Sequence, residues 1–280
     1  MATGTSPAAG SEGRAVAAAR RVWGLLYRHL ALYRRSWPRL LELAYWPVLQ
    51  MCIWGFTASF LAARMGSAAA LAGATLLGGV LLWEVALRSQ MGVAISFMEE
   101  MWSRNLGHLF VSPTRPWELI AALLLVSIVR MLAGVVPAIL IAWVLYAYDL
   151  FALGPVVVLF FMNLMMFGWA VALGVVSLIL RHGAGAEALA WSVLFGLTPF
   201  SAVFYPVAVL PQVLRPIALA LPSAHVFEGL RGVVLQGVVR WDHLFAAFAL
   251  NAVWVAGAAL LFARQFRQAR LRGALLSIGE

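Results

Sequence analysis

Three charged residues stand inside stretches apolar enough to cross a membrane: Glu84, Arg88 and Arg130. A charge at such depth costs roughly 2.5–3.5 kcal/mol even on lenient insertion scales, so it pairs or lines a wet path. Glu84 and Arg88 lie one helical turn apart, on the same face. Glu84 and Arg130 each fall about a dozen residues into their stretches, which at ~1.5 Å per residue puts both near the midplane. Neighbouring spans run antiparallel, so the sequence predicts a Glu84–Arg88–Arg130 cluster facing the protein interior. Two readings stay open: a polar patch on a conduction path, or an ion-pair lock between two helices. The rest of the chain is poor in chemistry. It has no G-x-S-x-G, no H-E-x-x-H and no aspartate pair suited to an intramembrane protease. His29, His108, His182, His225 and His243 are dispersed without ligand spacing, so no metal is expected. Cys52 is the sole cysteine, which excludes a disulfide or a cysteine-built metal site within one chain. All 20 basic residues are arginine. A phosphate-binding P-loop needs a lysine, so this chain carries none and is not expected to be an enzyme.

The elements that must hold these charges are helices. Of 280 residues, 64% are hydrophobic and 11% are charged. Soluble domains sit near a quarter charged. The expected fold is an all-α membrane protein with six transmembrane helices, at about 40–63, 71–97, 119–148, 154–180, 186–204 and 243–263, within a domain covering 40–265. Residues 1–13 read as a disordered tail without the pattern of a secretory signal. Residues 14–36 read as an amphipathic interfacial helix, with Arg20, Arg21, Arg28, Arg34 and Arg35 on one face and Trp23 and Leu26 on the other. A cytosolic partner-binding helix is the alternative for it. Residues 266–280 form a basic tail. With both termini inside, fourteen arginines are cytoplasmic and four external. That asymmetry places both ends in the cytoplasm. The net charge of +9 follows from this bias and is not a nucleic-acid signal.

Two segments interrupt the spans. Residues 206–237 carry Pro206, Pro211, Pro216 and Pro222 in an apolar context. Proline removes a backbone donor and clashes with the preceding turn, so this is no continuous span. It reads as a re-entrant segment sheltered by neighbouring helices. A short helix with His225, Glu228 and Arg231 follows, the last two paired at i,i+3. Phe200, Phe204 and Tyr205 precede it, as an aromatic gate or an interfacial girdle. The second segment is 98–118, MEEMWSRNLGHLFVSPTRPWE. Glu99 and Glu100 are expected to open a short helix with Arg104, Leu106 and Leu109, stopped by Ser112 and Pro113. Aliphatic knobs on a polar helix suit docking to another protein, or packing on the bundle itself.

The pattern FYPxxxLPxxLxPIxxxLPxxHxxExLRG, together with EExxxxxLxxLxVSPxxxxE, resembles the ABC-2 family of ATP-driven export permeases. The resemblance covers nearly the whole chain. It implies that the segment with Glu99, Glu100, Leu106, Leu109, Val111, Ser112, Pro113 and Glu118 is a coupling helix docking on an ABC ATPase subunit. It implies that the proline-rich region closes the outer end of the route. It further implies two permease copies, as a homodimer or with a related permease, two ATPase subunits that bind the ATP and Mg, and a bacterial cytoplasmic membrane. The expected function is export of an amphipathic, lipid- or glycan-like substrate. The competing class is an ion-gradient-driven transporter using the Glu/Arg site. Such transporters usually repeat a broken helix in both halves, and only one broken segment is visible here.

Overall fold

The computed structural model describes residues 7–34, 36–103 and 115–271. The expected docking residues Arg104, Leu106, Leu109, Val111, Ser112 and Pro113 lie outside them. The described chain is predominantly helical, with no strand among the described residues. It comprises α1 (Pro7–Arg34), α2 (Trp37–Met65), α3 (Ser67–Trp102), α4 (Pro116–Tyr146), α5 (Val156–His182), α6 (Leu189–Leu197), α7 (Arg215–Leu219), α8 (Pro222–Gln236) and α9 (Trp241–Leu271). Among the described residues α2, α3, α4, α5 and α9 are long and apolar enough to cross a membrane.

The exposed surface says which solvent they meet. Ile53, Phe56 and Phe60 of α2 and Phe245, Val253 and Leu260 of α9 are all more than half exposed. Soluble monomers rarely show contiguous apolar faces of that extent. This is an all-α, multi-pass membrane protein. Inside, α3 is the axis: it packs on α2, α4 and α5, with α6 and α8 against its remaining faces. The core joins α3 residues such as Leu82 and Phe97 to Phe160 and Phe167 of α5 and Phe227 of α8. Small residues set the approach of the helices. A Cβ on Gly92 would lie 2.8 Å from the Ser127 Cα on α4. A Cβ on Gly134 would lie 2.8 Å from the Leu43 carbonyl of α2. Pro47, inside α2, has no N–H to offer that carbonyl, and Gly134 leaves room for it.

The expected fifth span at 186–204 is corrected. Its α-helix holds 9 residues, and a 3₁₀ turn, Thr198–Phe200, continues it. Pro199 has no N–H to continue the ladder. Ser201 then turns its hydroxyl back on the Leu197 carbonyl, and Ala202 takes a left-handed φ of 57°. Even so, the segment travels far. Glu187 accepts a hydrogen bond from Trp102 Nε1 at 2.8 Å, Ala190 accepts one from Gln90 Nε2 at 2.9 Å, and the Val203 carbonyl sits over Gly79. From Trp102 to Gly79 along α3 is about 35 Å at ~1.5 Å per residue, comparable with a bilayer core of ~30 Å. The segment thus runs along much of α3 in broken form. The prolines beyond it start helices more than they break them: Pro216 and Pro222 occupy the first turns of α7 and α8, where the missing N–H is harmless.

One buried polar contact joins α5 to α9. Asn251 Nδ2 donates to Asn163 Oδ1 at 2.9 Å and to the Asn163 carbonyl at 3.0 Å. Side-chain hydrogen bonds between transmembrane helices average ~0.6 kcal/mol and reach ~1.7. Asn251→Ala is therefore expected to lower unfolding stability in mixed micelles by an amount within that range. A loss above ~3 kcal/mol would show that this pair does more than fasten two helices.

Candidate functional site

Beside α3, toward α2 and α6, lies a cavity of about 550 Å³. Its polar lining comprises Arg39, Glu42, Glu84, Arg88, Glu99 and Arg130, and its aromatic lining includes Trp46, Trp191 and Phe195. A second cavity of about 330 Å³ continues along α3 past Trp83 to Trp54, Phe204 and Tyr205. Gln50, Glu84, Leu87 and Phe195 line both. The two cavities thus form one groove along the bundle, and Glu84 stands at their junction.

The helices dictate how the charges pair. Arg88 Nε donates to Glu84 Oε2 at 3.0 Å, and both side chains are largely buried. Glutamate placed one turn N-terminal to a cation is the favourable order. The predicted three-membered cluster is corrected at Arg130. Gly92 of α3 faces Ser127 of α4, and Gly134 of α4 faces Arg88. In that antiparallel register Arg130 stands opposite the turn around Gln90, roughly 9 Å along α3 from Glu84 at ~1.5 Å per residue. Side chains also tilt toward the N-terminus of their own helix, so Glu84 and Arg130 lean apart. Arg130 donates from Nη1 to Ser96 Oγ at 3.1 Å and lies 3.7 Å from Glu99 Oε2. Its guanidinium caps the Tyr33 ring of α1 at 5.4 Å from the centroid. Burial pushes the Tyr33 hydroxyl up to about 12, so a neutral ring faces the cation.

At the end of the bundle flanking 104–114, α1 is clamped by charge. Arg21 makes a two-toothed pair with Glu118, Nε to Oε2 at 2.9 Å and Nη2 to Oε1 at 2.7 Å. Arg28 pairs with Glu100, and His29 Nε2 lies 2.9 Å from Glu100 Oε1. Glu99 and Glu100 do not open a separate helix: they belong to the last turn of α3, and Glu100 is 1% exposed. They hold α1. From the expected arginine face of α1, Arg21 and Arg28 reach Glu118 and Glu100, while Trp23 and Tyr27 are 65% and 63% exposed. The helix also begins at Pro7, inside the stretch read as a tail. Desolvation in this contact lowers the Arg28 guanidinium from its ordinary value.

At the opposite end, the turn after α6 is pinned from α8. Glu228 accepts from the Val207 N–H at 2.7 Å, and Arg231 donates to the Ala202 carbonyl. Glu228 and Arg231 are themselves 3.4 Å apart, and burial depresses the Arg231 guanidinium. Between the two pinned positions, Phe204 stacks on Trp54 of α2 at 4.9 Å and 25°, and Tyr205 donates its hydroxyl to the Pro199 carbonyl at 2.8 Å. Phe200, expected in this aromatic group, instead packs against the main core. Pro206 precedes the turn at Val207–Val209, and Pro211 accepts the N–H of Leu214 at 2.9 Å. Sequence reasoning missed Trp54 and Phe195, because an aromatic on an apolar helix carries no mark of what it faces. It also missed His225 against His243, eighteen residues apart, with Nδ1 atoms 3.1 Å from each other.

The family model for the ABC-2 type transporter matches residues 20–235. The chain belongs to this family. No individual curated protein matches it closely enough to be compared. The matched region runs from α1 through α8 and takes in both the clamp and the groove. The protein is accordingly a permease of an ABC transporter, and membership of the family implies an ABC ATPase as its partner. With no lysine for a P-loop in this chain, hydrolysis belongs to that separate subunit.

Proposed function

We propose that this ABC-2 permease exports an amphipathic, lipid- or glycan-like molecule across a bacterial cytoplasmic membrane, using ATP hydrolysed by its partner. The observation that supports this best is the groove with Glu84 at the junction of its two cavities. Apolar and aromatic walls suit the body of an amphiphile, and a few fixed polar groups suit its head. Two permease copies, as a homodimer, would stand over two ATPase subunits holding ATP and Mg. Segment 104–114, with Arg104, Leu106, Leu109, Ser112 and Pro113, would dock on the ATPase. Glu118 and Glu100 flank that segment and are tied to α1, so its movement would carry α1 across the mouth of the groove. ATP acts only through its different affinity for the two states. Residues 206–237 would re-enter from the outer face, with both termini in the cytoplasm.

The Trp54–Phe204 stack is the outer closure in this reading. Such a pair contributes about 0.5–1.5 kcal/mol beyond its buried area, which converts to roughly twofold to tenfold in a closed–open equilibrium. Trp54→Ala in proteoliposomes containing the permease and its ATPase is expected to raise ATP-independent leakage of a fluorescent short-chain lipid by that factor. Leakage equal to wild type, with ATP-driven flux intact, would remove the stack from the route.

A further inference from the structure

The larger cavity is lined by three arginines, Arg39, Arg88 and Arg130, and three glutamates, Glu42, Glu84 and Glu99. Four of these are matched. Arg88 holds Glu84 at 3.0 Å, and Arg130 stands 3.7 Å from Glu99. Arg39 and Glu42 are different. They lie three residues apart in α2, on one face of the helix, yet neither side chain has an ion-pair or hydrogen-bond partner among the described residues. Both are exposed. Their charges act on the Tyr33 hydroxyl of α1 together with those of Arg130 and Glu99, so they stand at the end of the cavity nearest α1. That hydroxyl is itself buried and without a hydrogen-bond partner among the described residues. One guanidinium, one carboxylate and one phenol thus converge with nothing to satisfy them, and the two charges cancel.

We propose that this mouth seats the head of a zwitterionic phospholipid, its phosphate on Arg39 and its ammonium on Glu42, with the chains along Leu43, Leu87, Met91 and Ile95. The inference rests on the groove being the cargo's seat, and it narrows the cargo to this lipid class. An anionic head would satisfy Arg39 and be repelled by Glu42, and a cationic head would do the reverse. A sugar head can hydrogen-bond to both but brings neither counter-charge, and hydrogen bonds between opposite charges are the stronger ones. A guanidinium presents the planar fork that phosphate oxygens match. Trp46, one turn on from Glu42 and lining the same cavity, offers a ring face to the ammonium. A phosphate drawn to Arg39 also brings the acceptor that the Tyr33 hydroxyl lacks. The depth suits a lipid head: Trp37 and Tyr45 of α2 are 72% and 58% exposed, as aromatic side chains at headgroup level are.

The detergent-solubilised full chain is titrated with phosphatidylethanolamine, phosphatidylglycerol and a diglucosyl diacylglycerol of identical chains, and bound lipid is counted by native mass spectrometry. Phosphatidylethanolamine is expected to bind first, about fivefold tighter than either competitor, which is what one partly exposed ion pair supplies. Removing one charge should reverse the choice as well as weaken the site. Glu42→Gln is expected to favour phosphatidylglycerol over phosphatidylethanolamine, and Arg39→Gln to favour a trimethylammonium lipid over both. Both side chains are exposed, so the variants are expected to fold, as gel filtration checks; if one does not, the other still reads the reversal. Three lipids bound alike by the wild type, a preference for the glucosyl lipid, or a choice left unchanged in the folded variants would overturn the site. Neither ATP nor the ATPase is present in this titration. An absence of ATP-driven flux for every lipid, with the selectivity intact, would contradict export and leave the lipid seat standing.

Discussion

Replacing Glu84 with leucine is expected to cost this protein a large part of its folding stability, and replacing Arg88 as well is expected to return it. Breaking a buried ion pair by removing one partner costs about 3–5 kcal/mol, whereas replacing both by apolar groups is often neutral. Total stabilities are only about 5–15 kcal/mol, so the single loss is severe. The two singles should also be unequal. A carboxyl group left alone can take up a proton and become neutral, but a guanidinium cannot shed one. Glu84→Leu should therefore fold worse than Arg88→Met, and the double variant Glu84→Leu/Arg88→Met better than either, as read by gel-filtration yield and melting midpoint. Transport separates the two readings of the pair. If Glu84 serves the cargo, the refolded double variant still falls about tenfold or more in ATP-driven flux, the loss of one charged hydrogen bond of ~1.5–3 kcal/mol. Full flux in a folded double variant would leave the pair as a lock alone. Wild-type folding and transport by the Glu84→Leu single variant would defeat both readings.

How much of this was legible beforehand follows from what each contact depends on. The long helices were legible in place, because continuous apolar runs need only length and composition, though the last one continues to Leu271, eight residues past the expected end of its span. The Glu84–Arg88 pair was legible too, since one helix fixes its spacing. Arg130 was not. Its partners follow from a register set by Gly92 on Ser127 and from the opposite tilts of side chains on antiparallel helices. Hydropathy counted 186–204 as an ordinary span, because it does not register what Pro199 and Ser201 do to the backbone ladder. Glu99 and Glu100 looked like a polar surface because the cations that bury them, Arg28 and His29, lie some seventy residues earlier. The histidine pair was illegible for the same reason: α8 and α9 meet through tertiary packing, and no periodicity records it.

The second large effect concerns the segment between α3 and α4. Its flanks are fixed: Trp102 ends α3 and Pro116 begins α4, with Glu100 and Glu118 anchored to α1. A movement imposed on 104–114 has rigid elements to act on. The apolar knobs Leu106 and Leu109 would supply the contact with the ATPase. Fully burying one leucine contributes about 1.5–3 kcal/mol, and an aspartate in its place adds the cost of a desolvated charge. Together the two substitutions should weaken the complex by several powers of ten, since each 1.4 kcal/mol is tenfold. The described ion pairs that hold α1, Arg21 with Glu118 and Arg28 with Glu100, are unchanged in the double variant, which is expected to fold and insert.

The most direct measurement is capture of ATPase subunits from the host by the detergent-solubilised chain, wild type beside Leu106→Asp/Leu109→Asp. The account predicts that the wild type retains an ABC ATPase and that the double variant, equally folded by gel filtration, retains none. An ATPase bound equally by both would contradict the assigned docking segment. A folded wild-type chain that binds no ATPase at all would contradict the exporter itself.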